Sequence, residues 1–395
     1  MDDRGIVVLS AVRTAIGKFG GALKDTAPSE LAALVIRESV ERAGVSPSDI
    51  GHVVIGNVIH TEARDMYLAR VAALRGGLPI ETPAFSVNRV CGSGLQAILT
   101  AAEVVAHGDV DAAIGGGTES MSRAPYWIPS LRWGARLNDT VAVDVLVGAL
   151  TDPFNNIHMA LTAENVARKW SISREDQDAL AVESHRRAIS AIQTGKFEEQ
   201  IVPVSLKTKG GVTQFVTDES PRADATLESL AKLKPAFDKD GAITAGNASS
   251  LNDGAAAVVL MRAGTAAERG LKPLARLVDY AMTGVEPGEM GIGPISAVRK
   301  LFQKTGLTAD DIEVFEVNEA FAAQLLAVRR ELGFPPEKTN PNGSGISLGH
   351  PLGATGAIVT VKALHELRRV GGKYALVTLC IGGGQGIAAI FESVN

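Results

Sequence analysis

The chain repeats part of itself, and this repeat limits its fold more than any other feature. Three pairs of segments match in the same order along the chain. Residues 43–50 match 305–312, residues 91–94 match 353–356, and residues 114–117 match 381–384 after an insertion of five residues. The first two pairs share an offset of 262 residues. A single match could arise by chance, but three in the same order predict a duplicated domain.

The segments around the repeat alternate between strand and helix patterns. In the first half we expect strands at 6–14, 52–59, 83–88 and 110–116, and helices at 28–44, 64–75 and 93–107. This alternation is typical of an α/β fold in which helices cover a sheet. The uncharged run 374–391 contains four glycines and Gln385, so two buried strands around a turn are expected there rather than a membrane helix.

Residues 121–251 follow a different pattern. They contain all three tryptophans (Trp127, Trp133 and Trp170), a charged helical stretch at about 173–194 and strand-like segments near 201–217. We therefore predict three units: 1–120 with 252–271 as the first half, 121–251 as an inserted loop domain, and 272–395 as the second half.

Composition and charge exclude several classes of protein. The 395 residues are 46% hydrophobic and 21% charged, as in a globular protein with large cores, and the net charge of −5 with no long basic block argues against a nucleic-acid partner. The two cysteines and the absence of an export-signal pattern predict free thiols and a cytoplasmic location. The seven histidines are dispersed, and no metal-binding spacing or P-loop is present.

Cys91 is the first candidate for chemistry. It precedes Gly92 and Gly94 where a strand pattern gives way to an apolar helix pattern. A thiol at the start of a helix can act as a nucleophile, because the helix dipole favours the thiolate and lowers the pKa. The alternatives are a buried structural cysteine and a dinucleotide-binding turn, since residues 92–97 fit G-x-G-x-x-[GA] and Asp111 follows Gly92 by 19 residues.

Three further residues lie at loops or strand ends. His350 is in a glycine-flanked loop before a helix of the second half, where it could act as a base for a thiol. Cys380 precedes the glycine turn of Leu-Cys-Ile-Gly-Gly-Gly, and Asn318 is an amide donor at another strand end. Phe321, close to Asn318, could belong either to the core or to a pocket wall.

Four motifs in this order, NRVCGSGLQA, EVNEAF, GHPLGATG and LCIGGGQG, resemble those of the thiolase family. The segments HMALTAENVA and ITAGNASSLNDGAA extend the resemblance across nearly the whole chain, which most resembles the broad-specificity bacterial β-ketothiolases. The resemblance implies two α/β halves in a five-layered α/β/α/β/α core with an inserted loop domain. It also implies a homotetramer built as a dimer of dimers.

The resemblance further implies the reaction and the residue roles. Cys91 would carry the acyl group, His350 would activate it, and Cys380 would exchange the proton at the substrate α-carbon. Asn318 (through a water) and His350 would form one oxyanion hole, and the backbone N–H groups of Cys91 and Gly382 the other. Coenzyme A would be a substrate rather than a permanent cofactor, and its binding residues or those of the acyl group would be Ser249, Arg222, His158, Met159 and Phe321.

The resemblance leaves alternatives and one open property. A decarboxylating condensing enzyme would typically have His or Asn at the position of Cys380. A non-catalytic acyl-CoA carrier and an NAD-dependent oxidoreductase are the candidates from other classes. Arg89, Val90 and Ala160 depart from the pattern of acetoacetyl-specific members, and Ser250 replaces a commoner glycine, so the preferred chain length stays open; we expect short substrates of four to six carbons.

Overall fold

The structure is a computed structural model that describes residues 5–208 and 210–394, so part of the N-terminal segment used in the export-signal argument lies outside it. The strands are β1 (Ile6–Thr14), β2 (Gly17–Lys18), β3 (Ile50–Gly56), β4 (Ala84–Val87), β5 (Ala112–Ser120), β6 (Tyr126–Trp127), β7 (Val143–Asp144), β8 (Thr151–Asp152), β9 (Ile157–His158), β10 (Ile201–Val202), β11 (Val204–Thr208), β12 (Gly211–Phe215), β13 (Asn252–Arg262), β14 (Ala275–Gly284), β15 (Val314–Val317), β16 (Tyr374–Ile381) and β17 (Gln385–Ser393).

The helices account for most of the remaining ordered chain. They are α1 (Pro28–Ala43), α2 (Leu68–Arg75), α3 (Ser93–His107), α4 (Val145–Ala149), α5 (Met159–Lys169), α6 (Arg174–Gln193), α7 (Leu227–Ala231), α8 (Ala263–Glu268), α9 (Gly293–Thr305), α10 (Ala322–Leu332), α11 (Gly345–Leu348) and α12 (Leu352–Val370). Short 3₁₀ turns occur at Pro47–Asp49, Ala63–Tyr67, Met121–Arg123, Pro129–Trp133, Pro287–Ile292 and Ala309–Asp311. The strand predicted at 52–59 spans 50–56, and the one predicted at 110–116 spans 112–120.

The strands of the two halves form neighbouring parts of one mixed sheet. Its order is β4-β3-β5-β13-β1 in the first half and β14-β17-β16-β15 in the second. The two parts join at β1 and β14, where Val7 pairs with Arg276 and Val8 with Ala275. The run 374–391 forms β16, a turn and the paired strand β17, as predicted.

Alternation along the strands separates three apolar cores. Val258 on β13 and Val377 on β16 face a middle core that contains α3 and α12. The next residue of β13, Val259, faces an outer core with α1 and α2, and Leu376 faces another with α9 and α10. Successive side chains of a strand point to opposite faces, so each half's part of the sheet separates the middle core from one outer core. The layers are therefore helix, sheet, helix, sheet, helix. The five-layered prediction is confirmed.

The repeat is also visible in the strand register. Val53 pairs with Ile114 between β3 and β5, and Phe315 pairs with Leu376 between β15 and β16. Both partners are therefore shifted by 262 residues. The offset of the first sequence match continues through this strand pair without an insertion.

The third sequence match is consequently wrong as a structural equivalence. Residues 114–117 lie inside β5, whereas 381–384 begin at the end of β16 and form the turn into β17. In β5 the glycines permit close packing, since a Cβ on Gly117 would lie 2.1 Å from the Gly353 carbonyl oxygen. In the turn, Gly383 and Gly384 have φ of +81° and +82°, which L side chains rarely adopt.

Residues 121–251 leave the sheet after β5 and return at β13, where Ser120 pairs with Asp253. The charged helix α6 and strands β11 and β12 lie within this segment. Its strand β10 pairs with β1, so the segment also contributes to the main sheet. By length and composition, Val90–His107 could cross a membrane, but 61% of it is buried inside the protein and α3 lies in the middle core.

Candidate active site

Cys91 lies on a sharp turn between β4 and α3, as predicted. Val90 adopts a left-handed backbone with φ of +46°, which is uncommon for a β-branched residue. The turn is fixed by side chains, since Asn88 Oδ1 accepts from the Val90 N–H at 2.9 Å and Ser93 Oγ accepts from the Arg89 N–H at 2.8 Å. The turn places Cys91 two residues before Ser93, the first residue of α3.

The electrostatic surroundings of Cys91 differ from the expectation. Burial, with a smaller contribution from the charge of Glu119, raises the pKa of the thiol to about 11. Hydrogen bonds from the backbone N–H groups of Gly382 and of Cys91 itself lower the pKa by less. The prediction of a lowered pKa is therefore wrong, because desolvation of the thiolate outweighs its N–H donors.

His350 lies in the loop before α12 and is oriented by that helix. Its Nδ1 is 2.7 Å from Thr355 Oγ1, whose hydroxyl donates to the Pro351 carbonyl oxygen at 2.8 Å. The Nδ1 therefore carries the ring proton and donates, which leaves Nε2 as a proton acceptor. Burial lowers the pKa of His350 to about 4, so its imidazole is neutral near pH 7.

Asn318 follows the last residue of β15 and is fully buried. Its Nδ2 is 3.3 Å from the Nε2 of His350, while its Oδ1 has no hydrogen-bond partner among the described residues. The two side chains together present an amide and an imidazole to the same space. This is the pairing that the resemblance implied for one oxyanion hole.

Cys380 is the next-to-last residue of β16 and has no exposed surface. Burial raises its pKa above the ordinary value, and the charge of Cys91 raises it further. Cys380 shares an apolar cluster with Met159, Ala160 and Phe321. Both cysteines are free thiols, as predicted.

A cavity of about 390 Å³ opens onto these groups. Of the predicted site residues, those that line it are Cys91, His158, Met159, Ser249, Phe321, His350 and Gly382. Asn318 and Cys380 lie behind this lining. Arg222 is exposed, outside the lining, and its backbone N–H donates to His185 Nδ1 at 3.1 Å. The structure therefore brings nine of the ten predicted residues to one place.

The acyl end of the cavity is shaped by α5 and the turn after β16. The Nδ1 of His158 accepts from the Ala160 N–H, and its ring stacks on Phe237 with centroids 3.9 Å apart. A Cβ built on Gly382 would lie 3.1 Å from the Met159 Cε and 3.6 Å from Val90 Cγ1. Glycine at 382 therefore keeps this end open.

The dinucleotide interpretation of residues 92–97 is wrong for a physical reason. A Cβ on Gly92 would lie 2.6 Å from Ile381 Cδ1, and one on Gly94 would lie 2.6 Å from the Ala357 backbone nitrogen. These glycines permit contact between the two halves rather than the approach of a pyrophosphate. Among residues 5–208 and 210–394, no group of three or more His, Cys, Asp and Glu side chains is placed to hold a metal ion.

Sequence reasoning missed three residues that shape the site. Thr355 orients His350, and Asn252 Oδ1 accepts from the His350 N–H at 2.9 Å. Glu119 is a fully buried acid close enough to Cys91 to affect its pKa. The signal for Glu119 was present, because it is the one charged residue in the run 112–120.

Comparison with known proteins agrees with the geometry. The thiolase N-terminal domain model matches residues 6–264, and the thiolase C-terminal domain model matches residues 271–393. The chain is 62% identical to the β-ketothiolase BktB of Cupriavidus necator over 99% of this chain and 100% of that protein. It is 50% identical to an acetyl-CoA acetyltransferase of Chromobacterium violaceum, with 98% and 99% covered.

Solved structures show the same fold over the full length. Human mitochondrial 3-ketoacyl-CoA thiolase, solved in complex with CoA, superposes with a TM-score of 0.96 at 44% identity, with 100% of this chain and 99% of that chain covered. The acetyl-CoA acetyltransferase of Bacillus anthracis gives a TM-score of 0.97 at 47% identity, with 99% of each chain covered. The duplicated halves, the paired thiols and these matches lead to one conclusion: the chain belongs to the thiolase family and is an acyltransferase.

Proposed function

We propose that this thiolase reversibly converts two acyl-CoA molecules into a 3-ketoacyl-CoA and CoA through an acyl group on Cys91. The observation that carries the proposal is the convergence of groups from both halves on one cavity. Cys91 comes from the first half, while His350, Cys380 and the Gly382 N–H come from the second. Acyl transfer between thioesters needs a thiol nucleophile, a base and oxyanion donors, and all three are present.

In the acylation step, the Sγ of Cys91 attacks the thioester carbonyl carbon of the first acyl-CoA. Its proton passes to His350, whose Nε2 is the unprotonated ring nitrogen and lies 3.3 Å from Asn318 Nδ2. The developing oxyanion is stabilised by the N–H groups of Cys91 and Gly382, which already point at Sγ. The departing CoA thiolate takes the proton of Cys380, which leaves acyl-Cys91, a protonated His350 and a Cys380 thiolate.

In the condensation step, the Cys380 thiolate removes an α-proton from the second acyl-CoA. Burial raises the pKa of this thiol, so its thiolate is a strong base. Asn318 and the protonated His350 stabilise the enolate oxygen, with Asn318 acting through a water. The enolate carbon attacks the acyl carbon, and Cys91 leaves and regains its proton from His350. Protons and charges balance over the two steps, and thiolysis is the reverse.

The substrates are short, with four to six carbons in the ketoacyl group. Ala160 and Met159, both buried in the cavity lining, support this, since they limit its space and the Met159 side chain lies next to Gly382. Ser249, His158 and Phe321 contact the acyl-CoA along the cavity, and Arg222 reaches its outer part from the surface. No permanently bound cofactor is part of the proposal, in which CoA is a substrate and product.

The protein acts as a homotetramer, built as a dimer of dimers. One support is the edge strand β4 and its surroundings, where Tyr67, Ile80 and Phe85 are exposed. The other is a second apolar group in the inserted segment, which includes Trp133 and Leu137 at 81% and 84% exposure. Apolar patches of this kind mark interfaces. Light scattering on Trp133→Glu should give a dimer, and an unchanged mass would refute the role of this loop.

Two further proposals concern organisation and location. The chain divides into 1–120 with 252–271, 121–251, and 272–395, which the pairing of Ser120 with Asp253 at the ends of the insertion supports. The enzyme works in the cytoplasm, because a mechanism with two free thiols requires a reducing compartment. Cell fractionation tests the location, and recovery in an exported fraction would refute it.

The test of function is thiolysis of acetoacetyl-CoA, followed at the absorbance of its enolate with and without NAD. We expect turnover that does not depend on NAD, together with an acetyl group on Cys91 after incubation with acetyl-CoA, digestion and mass spectrometry. A non-catalytic carrier would bind without turnover, and a dehydrogenase would require the nucleotide. An acetyl group on Cys380, or no acetyl group, would overturn the assignment of the nucleophile.

A further inference from the structure

Glu119 is a buried carboxylate outside the proposed reaction steps. It lies on β5 with no exposed surface. Its Oε1 accepts from Asn57 Nδ2 at 3.0 Å and the Ile59 N–H at 3.1 Å, and its Oε2 accepts from the Val58 N–H at 3.1 Å and the Gly353 N–H at 2.8 Å. Every one of these partners is a donor, so the arrangement suits a carboxylate with two accepting oxygens.

One of these bonds crosses between the two halves of the protein. Glu119 belongs to the first half, whereas Gly353 is the second residue of α12 in the second half. The contact depends on glycine, because a Cβ on Gly353 would lie 2.8 Å from Glu119 Oε2 and 2.8 Å from the Thr118 carbonyl oxygen. Glycine is also needed at 117 on β5, where a Cβ would lie 2.1 Å from the Gly353 carbonyl oxygen. The first turn of α12 is thereby held directly against β5.

The corresponding place in the repeat is built differently. At the offset of 262 residues, Glu119 corresponds to Ile381 and Gly353 corresponds to Cys91. Ile381 packs near Gly92, and the start of α3 has no side-chain cap. One helix start therefore holds the thiol and the other is tied down by a carboxylate. The equivalent positions in the two halves therefore have different roles.

The helix start that Glu119 holds also orients the proposed base, His350. His350 directly precedes Pro351 and α12, and its ring is oriented by Thr355 in the first turn of that helix. Cys91 lies two residues before the start of α3, which packs on β5. The Ile59 N–H donates to Glu119, and Leu352 directly precedes Gly353, another of the donors named above. Both side chains belong to an apolar cluster that packs against Cys91. A continuous set of contacts thus runs from Glu119 to both reacting groups.

We infer that Glu119 is a positioning residue that fixes His350 relative to Cys91 by holding the start of α12 on β5. This inference rests on the proposed roles of Cys91 and His350. It adds an electrostatic consequence, because the ionised form of Glu119 disfavours the Cys91 thiolate; burial raises the pKa of Glu119 to about 8, against the effect of its backbone N–H donors. The nearby titratable groups that bear on this arrangement are Asp253 on β13, whose charge raises the pKa of Glu119, and Cys380 and His350 at the site.

The test is Glu119→Gln, with two separate measurements. A Gln has one accepting oxygen, so two of the four N–H contacts lose their acceptor, and we expect kcat for thiolysis to fall about 10²-fold with KM within about threefold. At pH 9 Glu119 is mostly ionised, since its pKa is about 8, so loss of its negative charge lowers the pKa of Cys91 and alkylation of Cys91 by iodoacetamide at pH 9 should become roughly threefold faster or more. A slower enzyme with a more reactive thiol is the expected signature.

Two further variants keep the result interpretable. Glu316→Gln removes another fully buried carboxylate, which pairs with Lys362 at 2.7 Å, and should leave the alkylation rate at pH 9 unchanged. Thr355→Val removes the hydroxyl that contacts His350 Nδ1 and leaves the contacts of Glu119 in place. It should lower kcat about tenfold without accelerating alkylation. It serves even when Glu119→Gln does not fold.

Three outcomes would overturn the inference. They are a Thr355→Val enzyme with the kcat of the wild type, a Glu119→Gln enzyme with kcat within threefold of it, and a Glu119→Gln enzyme whose alkylation is not accelerated. The proposed function has a separate test, since an acetyl group found on another residue of the wild-type protein would refute it whatever these variants do.

Discussion

The protonation state of Cys91 in the unliganded enzyme gives a prediction whose magnitude comes directly from the structure. Burial and Glu119 raise the pKa of the thiol to about 11, while burial lowers the pKa of His350 to about 4. A thiolate–imidazolium pair would require the opposite order of these two pKa values. The resting site therefore holds a neutral thiol and a neutral imidazole, and the proton moves only when a substrate carbonyl arrives.

The size of the effect follows from the difference between pH and pKa. With a pKa of about 11, roughly one thiol in 10³ is ionised at pH 8. Because only the thiolate reacts with iodoacetamide, the alkylation rate should rise about tenfold per pH unit from pH 7 to pH 10. A thiol activated at a helix start would instead reach a plateau below pH 8.

The assay measures pseudo-first-order alkylation of Cys91 by mass spectrometry across that pH range. The control is the Cys380→Ala variant, which leaves Cys91 as the one cysteine of the chain. Both proteins should give the same unit slope, and bound acetyl-CoA should protect Cys91. A plateau below pH 8 in either protein would refute the reasoning and restore the sequence-based expectation of a preformed thiolate.

Two other predictions concern specificity and stability. Ala160→Gly should change the ratio of kcat/KM for 3-ketovaleryl-CoA over acetoacetyl-CoA more than it changes the value for acetoacetyl-CoA, and by a graded amount, since a methylene contributes about 1–3 kcal/mol; an unchanged ratio would place the determinant elsewhere. Asp218→Ala leaves the fully buried Arg13 without its bidentate partner at 2.7 and 3.0 Å and should lower the free energy of unfolding by about 3–5 kcal/mol in urea titration. The control Asp176→Ala removes an exposed ion pair with Arg330 and should cost at most about 1 kcal/mol, so equal losses would contradict the account.

Local signals in the sequence were sufficient for most of the fold. Helix α1 begins at Pro28, because proline suits the first turn of a helix. It ends before Gly44, because glycine readily adopts the left-handed backbone of the C-cap, with φ of +68°. Alternation of Gly turns and β-branched runs located the strands. The match of 43–50 with 305–312 reflects a shared turn, in which the Ser46 N–H donates to Asp49 Oδ2 and the Thr308 N–H donates to Asp311 Oδ2, both at 2.8 Å.

Identical sequence was misleading where its physical role differed. The two Ile-Gly-Gly-Gly segments looked equivalent, but one needs glycine for close packing inside β5 and the other needs it for a turn with positive φ. Composition cannot separate these two uses of glycine. Only the register of β3 on β5 and of β15 on β16 does so.

The electrostatics of the site were the least predictable part. The sequence indicated a helix start at Cys91 but not the desolvation of its half-buried thiol, which reverses the sign of the pKa shift. The tie between Glu119 and Gly353 joins residues 234 positions apart, so no local pattern reveals it. Long-range contacts between the duplicated halves decide how the predicted residues work together.

The most direct test of the account is the effect of Cys380→Ala on the two half-reactions. Acetyl transfer from acetyl-CoA to Cys91 needs the thiol, His350 and the N–H donors, all of which remain, so labelling should persist at a somewhat reduced rate. Exchange of the α-protons needs a base at the α-carbon, which alanine lacks, so exchange and condensation should fall by roughly 10² or more. The measured quantity is the ratio of the two losses. If Cys380→Ala abolishes labelling as completely as Cys91→Ala while α-proton exchange survives, the two thiols have the opposite roles.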